Sequence, residues 1–229
     1  MIKASTKKLK TAAMSKLIKL GLKDMWIILL FTLILFSNCS VAQSNKLLQN
    51  KKYFDTALNQ WTKTYTNFNL TNFKITDTLH FENIDDEDFE NYKTFLSIYK
   101  PIITYSPDSS QFIDIYSYEL NLEKEGNHYV TYGEIDQAIY LCNKEKKYWK
   151  RINFFTTSSQ WIEEIIWVSK YEFILTGVTI NKEGKRLPLI LFGDTKKQTF
   201  LKFETINENC FQNKRYSSPK LKKIKIVGL

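Results

Sequence analysis

From Pro101 onward the apolar residues recur at every second position, in two successive sets of four short runs. That period belongs to strands, whose side chains alternate between the two faces of a sheet. The runs cover residues 102–106, 112–120, 137–142 and 148–155, then 162–169, 172–180, 187–192 and 199–203. Between them lie Pro107-Asp108-Ser109-Ser110, Glu125-Gly126-Asn127, Glu183-Gly184 and Gly193-Asp194, which carry the residues that turns demand. The 108 residues from 101 to 208 therefore read as β structure in two halves.

The halves resemble each other. Ile103-Thr104-Tyr105-Ser106 aligns with Ile166-Trp167-Val168-Ser169, and each leads through a short turn to Phe112-Ile113 or Phe173-Ile174. A constant shift then places Ile139 over Ile190, Asn143 over Asp194, Lys146 over Lys197, Trp149 over Phe200 and Ile152 over Phe203. A repeated four-stranded antiparallel meander is the unit of a β-propeller blade. The stretch from Tyr105 to Phe112 also resembles the "SPDG" turn of TolB-type propeller repeats, with Ser109 in place of the glycine. That resemblance implies blades, but a ring needs about four of them to close and this chain offers two. The fold expected is mainly β with N-terminal helices, an α+β arrangement of two four-stranded antiparallel blade-like sheets that do not form a closed propeller. Either the sheets pack on one another or on the helices, or several chains complete a ring; packing within one chain costs less entropy. The competing reading is one twisted sheet or sandwich of eight strands.

Ahead of Pro101, Leu47, Phe54, Leu58, Trp61 and Tyr65 recur at helical spacing, which predicts an amphipathic helix over 45–66. Alternation over 73–81 predicts a strand. Phe89, Tyr92, Leu96 and Tyr99 predict a second helix over 86–100, with Asp85, Asp86, Glu87 and Asp88 favoured at its N-terminus by the helix dipole. The domain plan is an export signal at 1–42, a helical segment with one strand at 43–100, the β-repeat domain at 101–208 and a basic tail at 209–229.

Charge follows the same plan. The net +9 divides into +6 over residues 1–42, −3 over 43–208 and +6 over 209–229. A nucleic-acid binder carries its basic footprint on the folded domain, so nucleic acid is excluded as a partner. Lysines from Lys7 to Lys23 precede an uncharged run of 12 residues from Met25 to Phe36. A membrane-spanning helix needs about 20 apolar residues, whereas a basic region followed by a shorter apolar core and small residues makes an export signal. Ser40-Val41-Ala42 fits cleavage before Gln43. Leu35-Phe36-Ser37-Asn38-Cys39 resembles a bacterial lipobox that would make Cys39 a lipidated first residue, with Asn38 and Phe36 departing from the usual residues. Membrane attachment depends on which of the two applies. The leader as a whole resembles those of exported Bacteroidetes proteins.

In an oxidising compartment Cys142 and Cys210 have the chance to pair, closing a loop worth about 4 kcal/mol; the alternative is two buried thiols. No Cys/His spacing suits zinc, and the acids at 85–90 lack the glycine an EF-hand requires, so no metal and no cofactor are expected. The two histidines, His80 and His128, sit in a strand and a loop, with no Gly-x-Ser-x-Gly elbow anywhere. Glu163 and Glu164 are adjacent on a strand and point to opposite faces, which prevents joint work on one glycosidic bond. One of them is expected beside Trp161 or Trp167, where an acid next to aromatic rings suits saccharide or peptide binding. Asp114 shares a face with Phe112, Tyr116 and Tyr118 and requires a hydrogen-bond partner there. No residue is assigned a catalytic role. Asp114, Trp161 and Glu164 are the candidate binding residues of an exported, envelope-associated interaction protein, its partner an unknown envelope protein or glycan and its oligomeric state open. The alternative is an envelope hydrolase with Asp114 or Glu164 as general acid. A deep pocket around a perturbed carboxylate favours the enzyme, and a flat patch of exposed Trp and Tyr favours the binding protein.

Overall fold

Phe112-Ile113 and Phe173-Ile174-Leu175 are apolar at consecutive positions, so both faces of the strands that carry them must be covered. The computed structural model describes residues 46–85, 91–156 and 159–227. The leader with Cys39 and Ala42, and the acids Asp86, Glu87, Asp88 and Glu90, lie outside the described residues.

Three short helices, α1 (Lys46–Gln49), α2 (Lys51–Asp55) and α3 (Asn59–Thr62), precede β1 (Phe73–His80) and the two-residue β2 (Ile84–Asp85). After α4 (Tyr92–Tyr99) come β3 (Thr104–Tyr105) and β4 (Gln111–Asp114), then α5 (Ser117–Leu120) and the hairpin of β5 (Leu122–Glu125) and β6 (His128–Thr131). The remaining long strands are β7 (Gln137–Asn143), β8 (Tyr148–Phe155), β9 (Gln160–Trp167), β10 (Glu172–Ile180), β11 (Arg186–Asp194) and β12 (Thr199–Thr205). The two-residue β13 (Ile226–Val227) ends the described chain.

The chain is mainly β, and its sheets do not close into a barrel. The order is β2-β8-β7-β4-β3 in the first large sheet and β1-β12-β11-β10-β9 in the second, with a small sheet β13-β6-β5. Each large sheet therefore has five strands rather than the expected four. Four strands of each are the expected ones; the fifth, at one edge, comes from residues 73–85, where β1 joins the second sheet and β2 the first.

The two meanders correspond in register. Cys142 faces Trp149 as Gly193 faces Phe200, and Asn143 faces Tyr148 as Asp194 faces Thr199. The turns match too. Asn143 Oδ1 accepts from the Lys146 N–H at 2.8 Å, and Asp194 Oδ1 from the Lys197 N–H at 3.0 Å. Lys147 and Gln198, at equivalent positions, both have positive φ. Ser106 Oγ accepts from the N–H of Gln111 and Ser169 Oγ from that of Glu172, each fixing the first residue of the next strand. Ser109, standing where the resembling turn has glycine, takes φ +57°, a conformation that glycine adopts without cost.

Alternation then sorts the core. Phe173, Leu175, Leu189, Leu191 and Phe200 of the second sheet share one apolar cluster with Ile113, Ile139 and Leu141 of the first. Their opposite-parity neighbours Ile174, Ile190, Phe192 and Phe203 share another with Leu47, Phe54, Leu58, Trp61 and Tyr65. So the two sheets pack on each other, and the N-terminal helices cover the second. On the first sheet α4 stacks Phe95 on Phe112, centroids 5.8 Å apart, and sets it edge-on to Trp149 at 4.3 Å. Each fully buried side chain of this size contributes about 1.5–3 kcal/mol.

Two expectations change. The helix over 45–66 is three pieces, interrupted at Asn50 and Thr56, whose backbones leave the helical region. Its apolar stripe is nevertheless buried, because packing rather than propensity fixes short helices. The strand over 112–120 stops at Asp114 and becomes α5. The basic tail also carries structure: Tyr129 N–H donates to Lys225 O at 2.8 Å and β13 pairs in parallel with β6 as an edge strand next to lysines.

Candidate functional site

Two adjacent acids on a regular strand point to opposite faces, but β9 is not regular at Glu163. Thr176 pairs with Glu164 and Gly177 with Ile162, which leaves Glu163 as the extra residue of a β-bulge. Gly177 permits the bulge: a Cβ there would lie 2.0 Å from the Trp161 carbonyl oxygen and 2.8 Å from Ile162 Cα. The C-terminal segment meets both acids. Gln212 Nε2 donates to both Glu163 oxygens at 3.3 Å, and the Tyr216 hydroxyl donates to Glu164 Oε2 at 3.0 Å. Burial raises the Tyr216 pKa, and the charges of Glu164 and Glu163 both add to the rise.

Glu163 is held further by Trp61 Nε1 at 2.9 Å and Arg186 at 3.4 Å. Burial pushes its pKa up, and these donors oppose the rise. Glu164 also accepts from Ser218 Oγ at 2.9 Å and forms an ion pair with Lys220, whose Nζ donates to Ile165 O at 3.0 Å. Burial lowers the Lys220 pKa while the Glu164 charge holds it up. Glu164 thus serves as a strut that fastens the C-terminal segment to β9.

Beside the bulge opens a cleft of about 520 Å³ lined by Tyr116, Glu119, Trp161, Glu163, Arg186 and Arg215, among others. The Arg186 guanidinium stands 4.3 Å from the Trp161 ring centroid, and its Nε donates to Gln212 Oε1 at 2.6 Å. Burial pushes the Glu119 carboxyl up to about 7; a bond from Gln137 Nε2 to Oε2 at 3.0 Å opposes this, and the Glu163 charge reinforces it. Glu119 Oε1 meets no protein donor among the described residues. Gln137 itself bridges the two sheets. Its Nε2 donates to Ile162 O at 2.9 Å and its Oε1 accepts from Ile162 N–H at 2.6 Å.

Of the residues singled out in the sequence, Trp161 lines the cleft and Glu164 braces its wall. Asp114 does neither. It is 0 % exposed at the end of β4, accepting from the N–H groups of Tyr116 (2.9 Å) and Ser117 (3.1 Å) and from the Ser117 hydroxyl. Its expected partner is thus turn N–H, and it fixes the start of α5, the helix that carries Glu119. Burial raises its pKa against those bonds. His80 is exposed on β1, and His128 lies 3.6 Å from Glu125 in the small hairpin; neither lines the cleft. Cys142 and Cys210 do not pair. Both are free and buried, each in a different apolar cluster, and burial pushes their thiols up to about 12 and 11.

Glu119, Gln137, Arg186 and Arg215 are site residues that sequence reasoning does not find. For Glu119 a signal exists: Asp114-Ile-Tyr-Ser117 is a turn-and-helix start, overridden by the alternation of Phe112, Asp114, Tyr116 and Tyr118. Arg186 and Arg215 carry no local signal. Among the described residues, no group of three or more His, Cys, Asp or Glu gathers as metal ligands, and no helix is long and apolar enough to cross a membrane. No family model matches the chain, and neither does any curated protein or solved structure.

Proposed function

We propose that the protein is an exported, envelope-associated binding protein that takes a glycan segment in the cleft between α5, β9 and the C-terminal segment. The observation that carries this reading is the division of labour among the acids. Glu163 is engaged by three donors and Glu164 by Tyr216, Ser218 and Lys220, so both are structural. What the cleft leaves to a ligand is Glu119 Oε1, the Arg215 guanidinium, the Ser217 hydroxyl and the half-buried indole of Trp161. Planar polar groups around an aromatic ring suit the vicinal hydroxyls and apolar faces of a sugar. Acid catalysis of glycoside hydrolysis needs a second free carboxylate, and Glu163 is not free. The flat aromatic patch expected from composition is not what carries the proposal, since Trp61, Trp149 and Trp167 are buried in the core. Export rests on the Lys-rich leader and the apolar run from Met25 to Phe36, with Cys39 lipidation or cleavage after Ala42 to follow.

One observation favours the hydrolase as a second reading: a carboxyl with a pKa of about 7, as at Glu119, is suited to donate a proton near neutrality. An array of defined envelope oligosaccharides separates the two. Retention of the full chain, lost in Glu119→Gln and Trp161→Ala with no new reducing ends, is the expected result. Reducing ends released by the wild type and not by Glu119→Gln would replace binding by catalysis. No retention and no release would remove both. The intact mass of the protein from its native membrane and soluble fractions tests export, with a chain starting near Met1 or Met14 as the result that overturns it.

A further inference from the structure

Behind the cleft, on the far side of Arg215, the C-terminal segment and α3 enclose a second groove of about 300 Å³. Four cations line it, Lys63, Lys214, Arg215 and Lys222, and no acid does. Some surface cations elsewhere are matched, as Lys51 is with Asp55, Lys170 with Asp108, Lys185 with Glu183 and Lys202 with Glu204. Among the described residues none of the four groove cations has an ion-pair partner.

The concentration of charge is not a property of a loose end. Upstream, the Asn213 N–H donates to Thr64 O at 2.9 Å and Gln212 bridges Tyr65. Downstream, Tyr216 and Ser218 are fastened to Glu164. Lys214 and Arg215 are therefore held between two anchors, and like charges are kept together against their repulsion. The uncharged groups at the groove include further donors. The backbone N–H groups from Lys214 to Ser217 have no backbone acceptor among the described residues, and the Gln60 amide and Ser217 hydroxyl line the same space. A concave surface of donors and cations without a counter-charge fits an anion. Three ammonium point charges and one planar guanidinium fork suit the several equivalent oxygens of a phosphate better than the two of a carboxylate.

We propose that this groove binds a doubly charged phosphate group through Lys63, Lys214, Arg215 and Lys222. The groove adjoins the glycan cleft and shares Arg215, Tyr216 and Ser217 with it, while Lys63, Lys214 and Lys222 belong to the groove and not to the cleft. Two sources carry that chemistry, a free phosphorylated solute and the headgroup of a phosphomonoester lipid.

The test uses the full chain at low ionic strength. Inorganic phosphate is titrated calorimetrically into the wild type, into Lys63→Gln/Lys222→Gln, which leaves Arg215 and the cleft intact, and into Lys146→Gln/Lys182→Gln, which removes the same charge from exposed lysines elsewhere. The expected result is saturable binding in the millimolar range or tighter, weakened about tenfold in the groove variant, unchanged in the control and falling with added salt. Lys214→Gln is a second groove variant should the first lose its circular dichroism spectrum. Flotation with phosphatidylcholine vesicles, with and without phosphatidic acid, then identifies the source. Retention that needs phosphatidic acid and is competed by free phosphate supports the proposal through a lipid headgroup. Phosphate binding without retention supports it through a soluble ligand. Absence of saturable phosphate binding, or equal weakening in groove and control variants, overturns it.

Discussion

The two large sheets share one plan and differ in what interrupts it. Between β10 and β11 the second sheet makes a turn of five residues, whereas between β4 and β7 the first inserts α5 and the β5–β6 hairpin. The uninterrupted sheet has nine-residue strands packed on both faces; the interrupted one has a four-residue β4. The insertion supplies Tyr116 and Glu119 to the cleft, and the regular sheet supplies Trp161, Glu163 and Arg186. The two sheets are similar scaffolds, and the difference between them shapes the cavity.

That comparison is broken most severely at Gly177. Gly177→Ala should destabilise by about 4 kcal/mol, because the new Cβ must displace the backbone of the β9 bulge. A urea midpoint little changed would mean that the bulge is not fixed by close approach. Next, Glu164→Gln should cost about 3 kcal/mol, since it leaves the partly buried Lys220 ammonium without its buried counter-charge. Limited proteolysis should then cut first within 213–220, and cleavage elsewhere would count against the strut.

Glu119→Gln sharpens the role of the insertion through pH. The folded pKa of about 7 stands above the ordinary 4.5, so ionisation weakens the fold. The cost is absent below about 4, grows as pH rises toward 7 and is complete above it. The variant should therefore match the wild type at about pH 4 and exceed its stability by about 2 kcal/mol at about pH 8. Equal melting curves at both pH values would place Glu119 in open solvent. The smallest effect is expected at the turn of the first repeat, where Ser109→Gly should stabilise by about 0.5–1 kcal/mol by relieving its positive φ. A loss of stability would show that the Ser109 side chain holds the turn.

The sheets were legible because alternation is local: the limits of β8 and β10 coincide with the periodic runs at 148–155 and 172–180. The matching turn positions of Asn143 and Asp194 were legible for the same reason. The cleft was not. Its carboxyl sits in a helix that imitates a strand pattern, its bulge depends on a glycine fifteen positions past the alternating Trp161-Ile162, and its arginines arrive from distant segments. The break of the N-terminal helix at Asn50 and Thr56 was hidden because burial of Leu47, Phe54 and Trp61 is compatible with either backbone.

Residues 73–85 finish both sheets, yet they are made before either. β1 waits for β12, and β2 waits for β8. A growing chain therefore cannot complete its second sheet until residue 205 has left the synthesis machinery, and its earliest strands stay open in the meantime. Closures over so long a loop are slow and favour late, concerted folding.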